Sequence, residues 1–488
     1  MRLIQNFWLG DNFPPQNESV AGLYHVYHYF WAMIPALFEA LGLSLVSAIN
    51  LYSALFFSLV MLTAVGIMEE YFFSKIAYIL LPIFIVSHGS LKLFDYLYTR
   101  AILIGWNRQF FEVPVLIGTV HGGRFGFNDD MFNVSYFIQE RQLIFACLAL
   151  LIYVYVLLRC KEFSLGFIVA SAVFFGLFVQ WHIYITIFFI VIGLSYTAIR
   201  CVLNGYKKTK KILLFSFVTT LVSFIFIIGL KVYTYISPEF DYAFLRQFPK
   251  INFSFTAYLT QDSTNFLQAF LYYLYGYGFR IIIYIGALII ARKYHKNIFY
   301  IWLSAIPIFV LVNTLQFSPL TVHDNHKWLR PFNLLVDVFS LSILSHRLSK
   351  SWLIRSGFLV LILLASISGI VSFLNFAVQT PAKYYADFSS SLFRKISRTD
   401  SKSVFLTNDS TYVFLAGRKT YVTKYLGQKL GIQTDKRQMV QDSLQKLKDT
   451  AEMCKFLLSK NLYKTIDYIS FTDKSIYIDV KKECFKTK

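Results

Sequence analysis

The stretch Gln316-Phe-Ser-Pro-Leu-Thr-Val-His323-Asp324-Asn325-His326-Lys327-Trp328-Leu329-Arg330-Pro331-Phe332-Asn333 sets two His, an Asp, a Lys and an Arg between two strongly apolar runs. Nothing about being apolar requires such a knot, so it is the first place to look for chemistry at a membrane surface. The 488-residue chain around it is 56% hydrophobic, 19% aromatic and only 15% charged. A soluble globular chain carries roughly 25% charged residues. The deficit is concentrated in long apolar runs, the mark of a polytopic membrane protein.

A bilayer-crossing helix needs about 17–25 apolar residues. Such segments fall near 44–66, 73–90, 142–158, 163–180, 182–199, 212–234, 268–291, 297–315, 332–346 and 352–376, ten in all with the ninth short. Residues 163–199 read as a tight pair turning at Gln180-Trp181-His182. Residues 28–42 are too interrupted to count as a span and read as a helix at the interface or in the bundle. The expected fold is therefore mostly α, a polytopic bundle of about ten spans over 1–376, followed by a small α/β extramembrane domain over 377–488.

The short basic stretches set the orientation. Arg159-Cys-Lys161, Arg200 through Lys207-Lys208-Thr-Lys210-Lys211, Arg292-Lys293-Tyr-His-Lys296 and Arg347-Leu-Ser-Lys350 all fall on one side of the expected spans, the cytoplasmic one. Loops 1–43, 91–141, 235–267 and 316–331 then face outward with the tail. The sequons at Asn17, Asn133, Asn252 and Asn408 agree with that side. The tail is itself rich in Lys, but long domains translocate largely regardless of charge. Basic cytoplasmic loops also account for much of the net charge of +20, so no nucleic-acid partner is expected, and anionic lipid headgroups suit the 200–211 loop. Residues 1–27 lack the apolar core of a signal peptide.

The five cysteines, Cys147, Cys160, Cys201, Cys454 and Cys484, form no CxxC pair and no Cys/His cluster. Three of them lie in or beside apolar runs, so neither a disulfide framework nor a zinc site is expected. In the tail, 404–407, 419–423, 468–470 and 476–480 read as strands, 412–417 as a short helix closed by Gly, and 435–460 as one amphipathic helix.

Polar groups that could do chemistry crowd into four outward places. The first is the N-terminal piece with Asp11, His25 and His28, and the second the 91–141 loop with Asp129, Asp130 and Glu140-Arg141. The third is the His182 turn, and the fourth the knot. In the knot, Asp324 could act as a base or orient a metal-bound group. Lys327 and Arg330, three apart, share a helical face that suits a phosphate, alongside His323 and His326. Equally, the knot could mark the outer end of the next span with Trp328 as an interfacial anchor. Asp129-Asp130 could hold a divalent cation, Mg or Mn, or form a solvated turn. His25 and His28 suit a ligand or aromatic interfacial packing. Arg141 is either a substrate contact or the partner of Glu140, and His182 either a substrate contact or structural. No P-loop, GxSxG or HExxH is present.

Gly10-Asp-Asn-Phe-Pro-Pro-Gln, Ala21-Gly22, Tyr24-His25 and Tyr27-His28-Tyr29-Phe30 resemble the first outer loop of GT-C-type membrane glycosyltransferases, in the bacterial branch related to mannosyltransferases and aminoarabinose transferases. Gln139-Glu-Arg141-Gln, the Asp324-Asn325-His-Lys327-Trp knot, and the tail pattern Leu-Ala-Gly417-Arg418, Tyr425-Leu-Gly427, Gly431 and Arg437 are similar to recurring positions there. The resemblance covers nearly the whole chain through loose motifs taken together. It implies a many-helix bundle with an outward cavity, a polyprenyl-phosphate sugar donor, and inverting transfer to a glycan or protein acceptor at the outer face of a bacterial cytoplasmic membrane. It also implies a base, Asp or Glu, early in the first outer loop behind a first span. Here no span precedes that loop, so either the start is truncated, with catalysis reduced or absent in this form, or Asp11 takes the base position. The alternatives are a transporter, flippase or polymerase of lipid-linked saccharides, or a scaffold without activity.

Overall fold

The computed structural model describes residues 2–9, 30–72, 75–88, 90–91, 93–95, 97–98, 102, 142–236, 250–251, 266–316, 326–347, 352–379, 390–423, 435–447, 449–471 and 476–485. The described residues are mostly helical, with one small four-stranded sheet. Helices α1 (Arg2–Leu9) and α2 (Phe30–Ala40) precede α3 (Leu45–Phe72) and α4 (Lys75–Val86). Then come α5 (Gln142–Arg159), α6 (Leu165–Leu177), α7 (Ile183–Asn204), α8 (Tyr206–Ile236), α9 (Phe266–Tyr277), α10 (Arg280–Tyr294), α11 (Lys296–Thr314), α12 (His326–Arg347) and α13 (Trp352–Gln379).

Four of these helices, α3, α7, α8 and α13, are long and apolar enough to cross a membrane. Their outer faces display large apolar side chains, among them Leu51, Leu55 and Leu62 on α3, Phe217, Leu221 and Phe224 on α8, and Leu359 and Leu363 on α13. That surface suits lipid, since hydrocarbon gains nothing from a polar exterior and every backbone group is satisfied within a helix.

Polar and charged side chains are buried within the apolar core of the bundle. Helix α12 packs against α3, α4, α5, α7, α10 and α11, and from Leu329 to Leu344 nearly every side chain is buried. The buried set includes Arg330, Asn333, Asp337, Ser340 and Ser342. The two serines each donate to the carbonyl four residues back, Val336 and Val338 respectively, so their hydroxyls need no outside partner. Several glycines sit where a larger side chain would clash or strain the backbone. A Cβ on Gly369 of α13 would sit 2.5 Å from the backbone of Ser87 and His88, and one on Gly176 of α6 would sit 2.6 Å from Val222 Cβ on α8. Gly278 holds φ +50° in the turn joining α9 to α10.

The bundle has two chemically different ends. At one, Arg159 pairs with Glu70 and Glu162, Lys211 donates to the carbonyls of Lys161 and Phe163, and Arg200 bonds Asn297. Three of the four basic stretches thus meet at the same end. At the other, strand β1 (Lys250–Ile251) pairs antiparallel with β2 (Leu315–Gln316), joining two of the loops expected to share a side.

The C-terminal domain is a sheet of order β4-β3-β5-β6, built from β3 (Val404–Thr407), β4 (Lys419–Thr420), β5 (Tyr468–Phe471) and β6 (Ile476–Asp479). The first three are parallel and β6 is antiparallel to β5. Around it lie α14 (Ser391–Ser397), α15 (Thr411–Leu415), α16 (Asp435–Lys446), α17 (Thr450–Ser459) and α18 (Val480–Cys484). Leu406, Ile469, Phe471 and Ile478 face the core under α16 and α17, while Phe405, Val413 and Ile396 form a second core on the other side.

Arg418 ties this domain to the start of the chain. Its Nε donates to Thr399 Oγ1, Nη1 to the carbonyls of Leu9 and Ala416, and Nη2 to those of Ser397 and Thr399. All five N–H groups of the guanidinium are used, and the carbonyls at the ends of α1, α14 and α15 supply the negative partial charge. Burial of the guanidinium lowers its pKa from the ordinary value. Leu415 extends the contact into an apolar cluster with Ile4, Ala32, Ala36, Leu45 and Ile49.

Several sequence expectations need correction. Residues 268–291 are two helices, broken at Gly278, whose positive φ ends α9. The helix over the expected ninth span is longer than 332–346, because the chain is already helical at His326 inside the knot. The 435–460 helix is two, α16 and α17, parted after Lys446. The strand expected over 419–423 covers only Lys419–Thr420. Finally, Cys454 and Cys484 are disulfide-bonded across 30 residues. The three apolar-run cysteines had set the expectation for all five. The two in the tail sit in short helices that pack on each other.

Closing a loop of that length stabilises a domain by about 3–4 kcal/mol in the chain-entropy picture. The Cys454→Ala/Cys484→Ala double variant should lose that much, read from the denaturant midpoint of the C-terminal domain by circular dichroism. Gly369→Leu and Gly176→Leu should each be destabilised by at least about 1–3 kcal/mol, the usual cost of overpacking. That would show as a lower melting temperature and a smaller monodisperse peak in detergent.

Candidate functional site

Two polar stripes face each other in the bundle. On α12, Arg330, Asn333 and Asp337 recur at i, i+3 and i+7, so one helix face carries all three. On α9 and α10, Tyr277, Arg280 and Tyr284 recur at the same intervals. The stripes meet rung by rung. Tyr277 OH donates to Asn333 Oδ1 at 2.8 Å, Arg280 Nη1 to Asp337 Oδ1 at 2.7 Å, and Tyr284 OH to the same oxygen at 2.6 Å.

Arg280 is wholly buried. Its Nη2 donates to the carbonyl of Phe84, one of the last in α4 and so without an intrahelical partner. Its guanidinium lies 3.7 Å from the centroid of the Phe84 ring, a cation–π contact. His88, just beyond α4, places Nδ1 3.6 Å from Asp337 Oδ2 and sets its ring edge-on to Tyr277. Asp337 therefore draws together α4, α10 and α12.

This geometry sorts the residues by what they can do. Asp337 is engaged through one oxygen by Arg280 and Tyr284 and through the other by His88, so it serves as a lock rather than as a base with an open face. At the other end of the stripe, Asn333 has its Oδ1 engaged, while among the described residues its buried Nδ2 has no hydrogen-bond partner. Arg330, 3% exposed, lies one turn closer to the knot, and its charge acts on His88. A cation and an open amide donor on one helix face, in a water-poor setting, are suited to an anionic oxygen.

The residues expected to form the site divide sharply. Asp11, His25, His28, Asp129, Asp130, Arg141, His323 and Asp324 lie outside the described residues. His326 and Lys327 occupy the first turn of α12, with side chains outside the description. Arg330 stands on the stripe. His182 is buried ahead of α7, where its carbonyl accepts Thr186 N and Oγ1 and its ring lies 5.6 Å from that of Tyr184. The neighbouring Trp181 stacks with Phe30 and Phe178. Among the described residues no three His, Cys, Asp or Glu side chains gather as a metal site requires.

Sequence reasoning passed over Arg280, Asp337 and His88, although the signal was present. An ionisable residue inside an apolar span costs several kcal/mol in lipid and so faces a partner. Arg280 interrupts the 268–291 run and Asp337 the 332–346 run. Each looked tolerable alone. Comparison with protein-family models and with curated proteins finds no match to this chain.

Removing one partner of a buried ion pair leaves an uncompensated charge, at a cost of about 3–5 kcal/mol, whereas replacing both by apolar groups is often neutral. Arg280→Met and Asp337→Leu should each lower the melting temperature in detergent strongly. The double variant should recover most of the loss, giving a favourable coupling energy in the double-mutant cycle.

Proposed function

We propose that the protein is a GT-C-type membrane glycosyltransferase that moves a sugar from a polyprenyl-phosphate donor to an acceptor at the outer face of the membrane. The observation that carries the reading is the stripe leading from the knot into the bundle. Arg330 and the Asn333 Nδ2, one to two turns below His326 and Lys327 on α12, offer a cation and a donor suited to a lipid-borne phosphate. The positive end of that helix adds to the attraction for an anion.

In the transfer, the bond between the anomeric carbon and the phosphate oxygen breaks as an acceptor oxygen attacks from the opposite side. A carboxylate takes the acceptor's proton, and cations stabilise the charge that develops on the departing phosphate. Asp11 and Asp324 are the candidates for the base, because Asp337 is committed to Arg280, Tyr284 and His88. Arg330 and Lys327 are the candidates for the phosphate.

The same reading assigns about ten crossings, with the basic end cytoplasmic and the C-terminal domain outside. The gathered basic turns favour that sidedness, and so does the Cys454–Cys484 disulfide, which belongs in an oxidising compartment. Arg418 holds Leu9 against the C-terminal domain, so the first residues share its side. A second reading, translocation of a lipid-linked saccharide without bond chemistry, is favoured by one observation. The α9–α10 break beside buried Arg280 is the kind of discontinuous helix that transporters place at their binding sites.

The two readings part in a reconstituted membrane. With a polyprenyl-phosphate sugar and a panel of acceptors, the wild-type protein should release polyprenyl phosphate. Arg330→Ala and Asn333→Leu should lower kcat/KM at least about tenfold each, a loss of about 1.4 kcal/mol. Movement of the intact donor between leaflets with no phosphate release would establish translocation instead. Unchanged kcat/KM in both variants would remove the stripe from the donor site.

A further inference from the structure

We propose that α2 is an interfacial helix whose Met33–Leu37–Leu41 face lies among lipid acyl chains, while its opposite face carries the C-terminal domain. Eleven residues make a helix about 16 Å long, roughly half of the hydrocarbon thickness, so α2 does not cross a bilayer. Its two faces differ in partner rather than in polarity. Ala32, Pro35, Ala36 and Glu39, at i, i+3, i+4 and i+7, are buried. Ala32 and Ala36 share a cluster with Ile4 of α1 and Leu415 of the C-terminal domain.

On the other face Leu37 is 58% exposed and Leu41 75%, flanked by Met33 and Leu43. The turn at Gly42, with φ +99°, leads within three residues into α3, which also turns Leu51 and Leu55 outward. The one acid of α2 is withdrawn from it. Glu39 is buried on the opposite face, where it accepts Gln5 Nε2 at 2.6 Å. A contiguous apolar face of this kind on a soluble surface marks an interaction site. The packing of α2 against α3, a helix long and apolar enough to cross a membrane, favours acyl chains as the occupant. So does the lack of any charged residue on the exposed face of α2. The inference does not depend on the proposed transfer chemistry.

The test is collisional accessibility of a nitroxide in liposomes. Leu37→Cys would be labelled in a background with Cys147, Cys160 and Cys201 replaced and the disulfide kept. Leu55→Cys serves as the lipid control and Lys208→Cys as the aqueous control. The expected result is an oxygen collision rate matching the label at position 55, with a nickel-chelate rate several-fold below that at position 208. A nickel-chelate rate equal to the aqueous control would overturn the proposal. In the otherwise native chain, benzoylphenylalanine at position 37 should yield lipid adducts on irradiation. Protein cross-links in their place would show that a second copy or another segment covers the face, and would equally overturn it.

Discussion

The contact on which the bundle depends is the pairing of Arg280 with Asp337. Neither charge could be kept at this depth alone, since each would cost several kcal/mol against lipid or apolar side chains. Together with Tyr284, His88 and the carbonyl of Phe84, they satisfy one another through a network that requires α4, α10 and α12 to stand in one register. A slip of one residue along α12 would turn Asp337 about 100° away from its donors. The pair therefore specifies the arrangement of helices whose apolar faces could pack in more than one way.

That constraint accounts for the polar and charged side chains buried within an otherwise apolar bundle core. In a soluble protein the hydrophobic effect gathers apolar residues at the centre. Within lipid that drive vanishes between helices, and packing and polar bonds decide which faces meet. Helix α12 follows from this. It carries Arg330, Asn333, Asp337 and serines at its buried positions, while α3 and α8 turn leucine and phenylalanine outward. It is also absent from the four helices apolar enough to be recognised as crossing by composition alone. The most central helix is the one hydropathy describes worst.

The same logic marks what was legible in the sequence. Apolar runs and the basic turns between them depend on local composition, so the mostly helical bundle, and the end at which Arg159, Lys211 and Arg200 meet, could be read directly, while several helix boundaries could not. The strand order of the tail, the Cys454–Cys484 bond and the two facing stripes depend on partners far apart in the chain, which no window contains. The break at Gly278 was hidden because Tyr277 and Phe279 keep the run apolar across the turn. The knot was visible as an anomaly, but of its His and charged side chains only that of Arg330 lies among the described residues. Its continuation through Asn333 and Asp337 could be seen by following the helix periodicity past the end of the polar cluster.

Arg418 connects these ideas to the chain's two ends. A guanidinium that is 5% exposed and held by four carbonyls and the Thr399 hydroxyl keeps its charge because five acceptors replace water. Four of those acceptors lie within the C-terminal domain, near the ends of α14 and α15, and the fifth, the Leu9 carbonyl that ends α1, is bonded only when the domain sits on the N-terminal helices. Leu9, the last residue of α1, is one of them, and the covalent chain continues from it into Gly10 and Asp11. Whatever that following segment does, it starts from a point fixed by a residue more than four hundred positions away. A domain attached in this way is more than an appendage at the end of the chain. Its folding, including the disulfide that closes it, is coupled to where the first helix stands on the bundle.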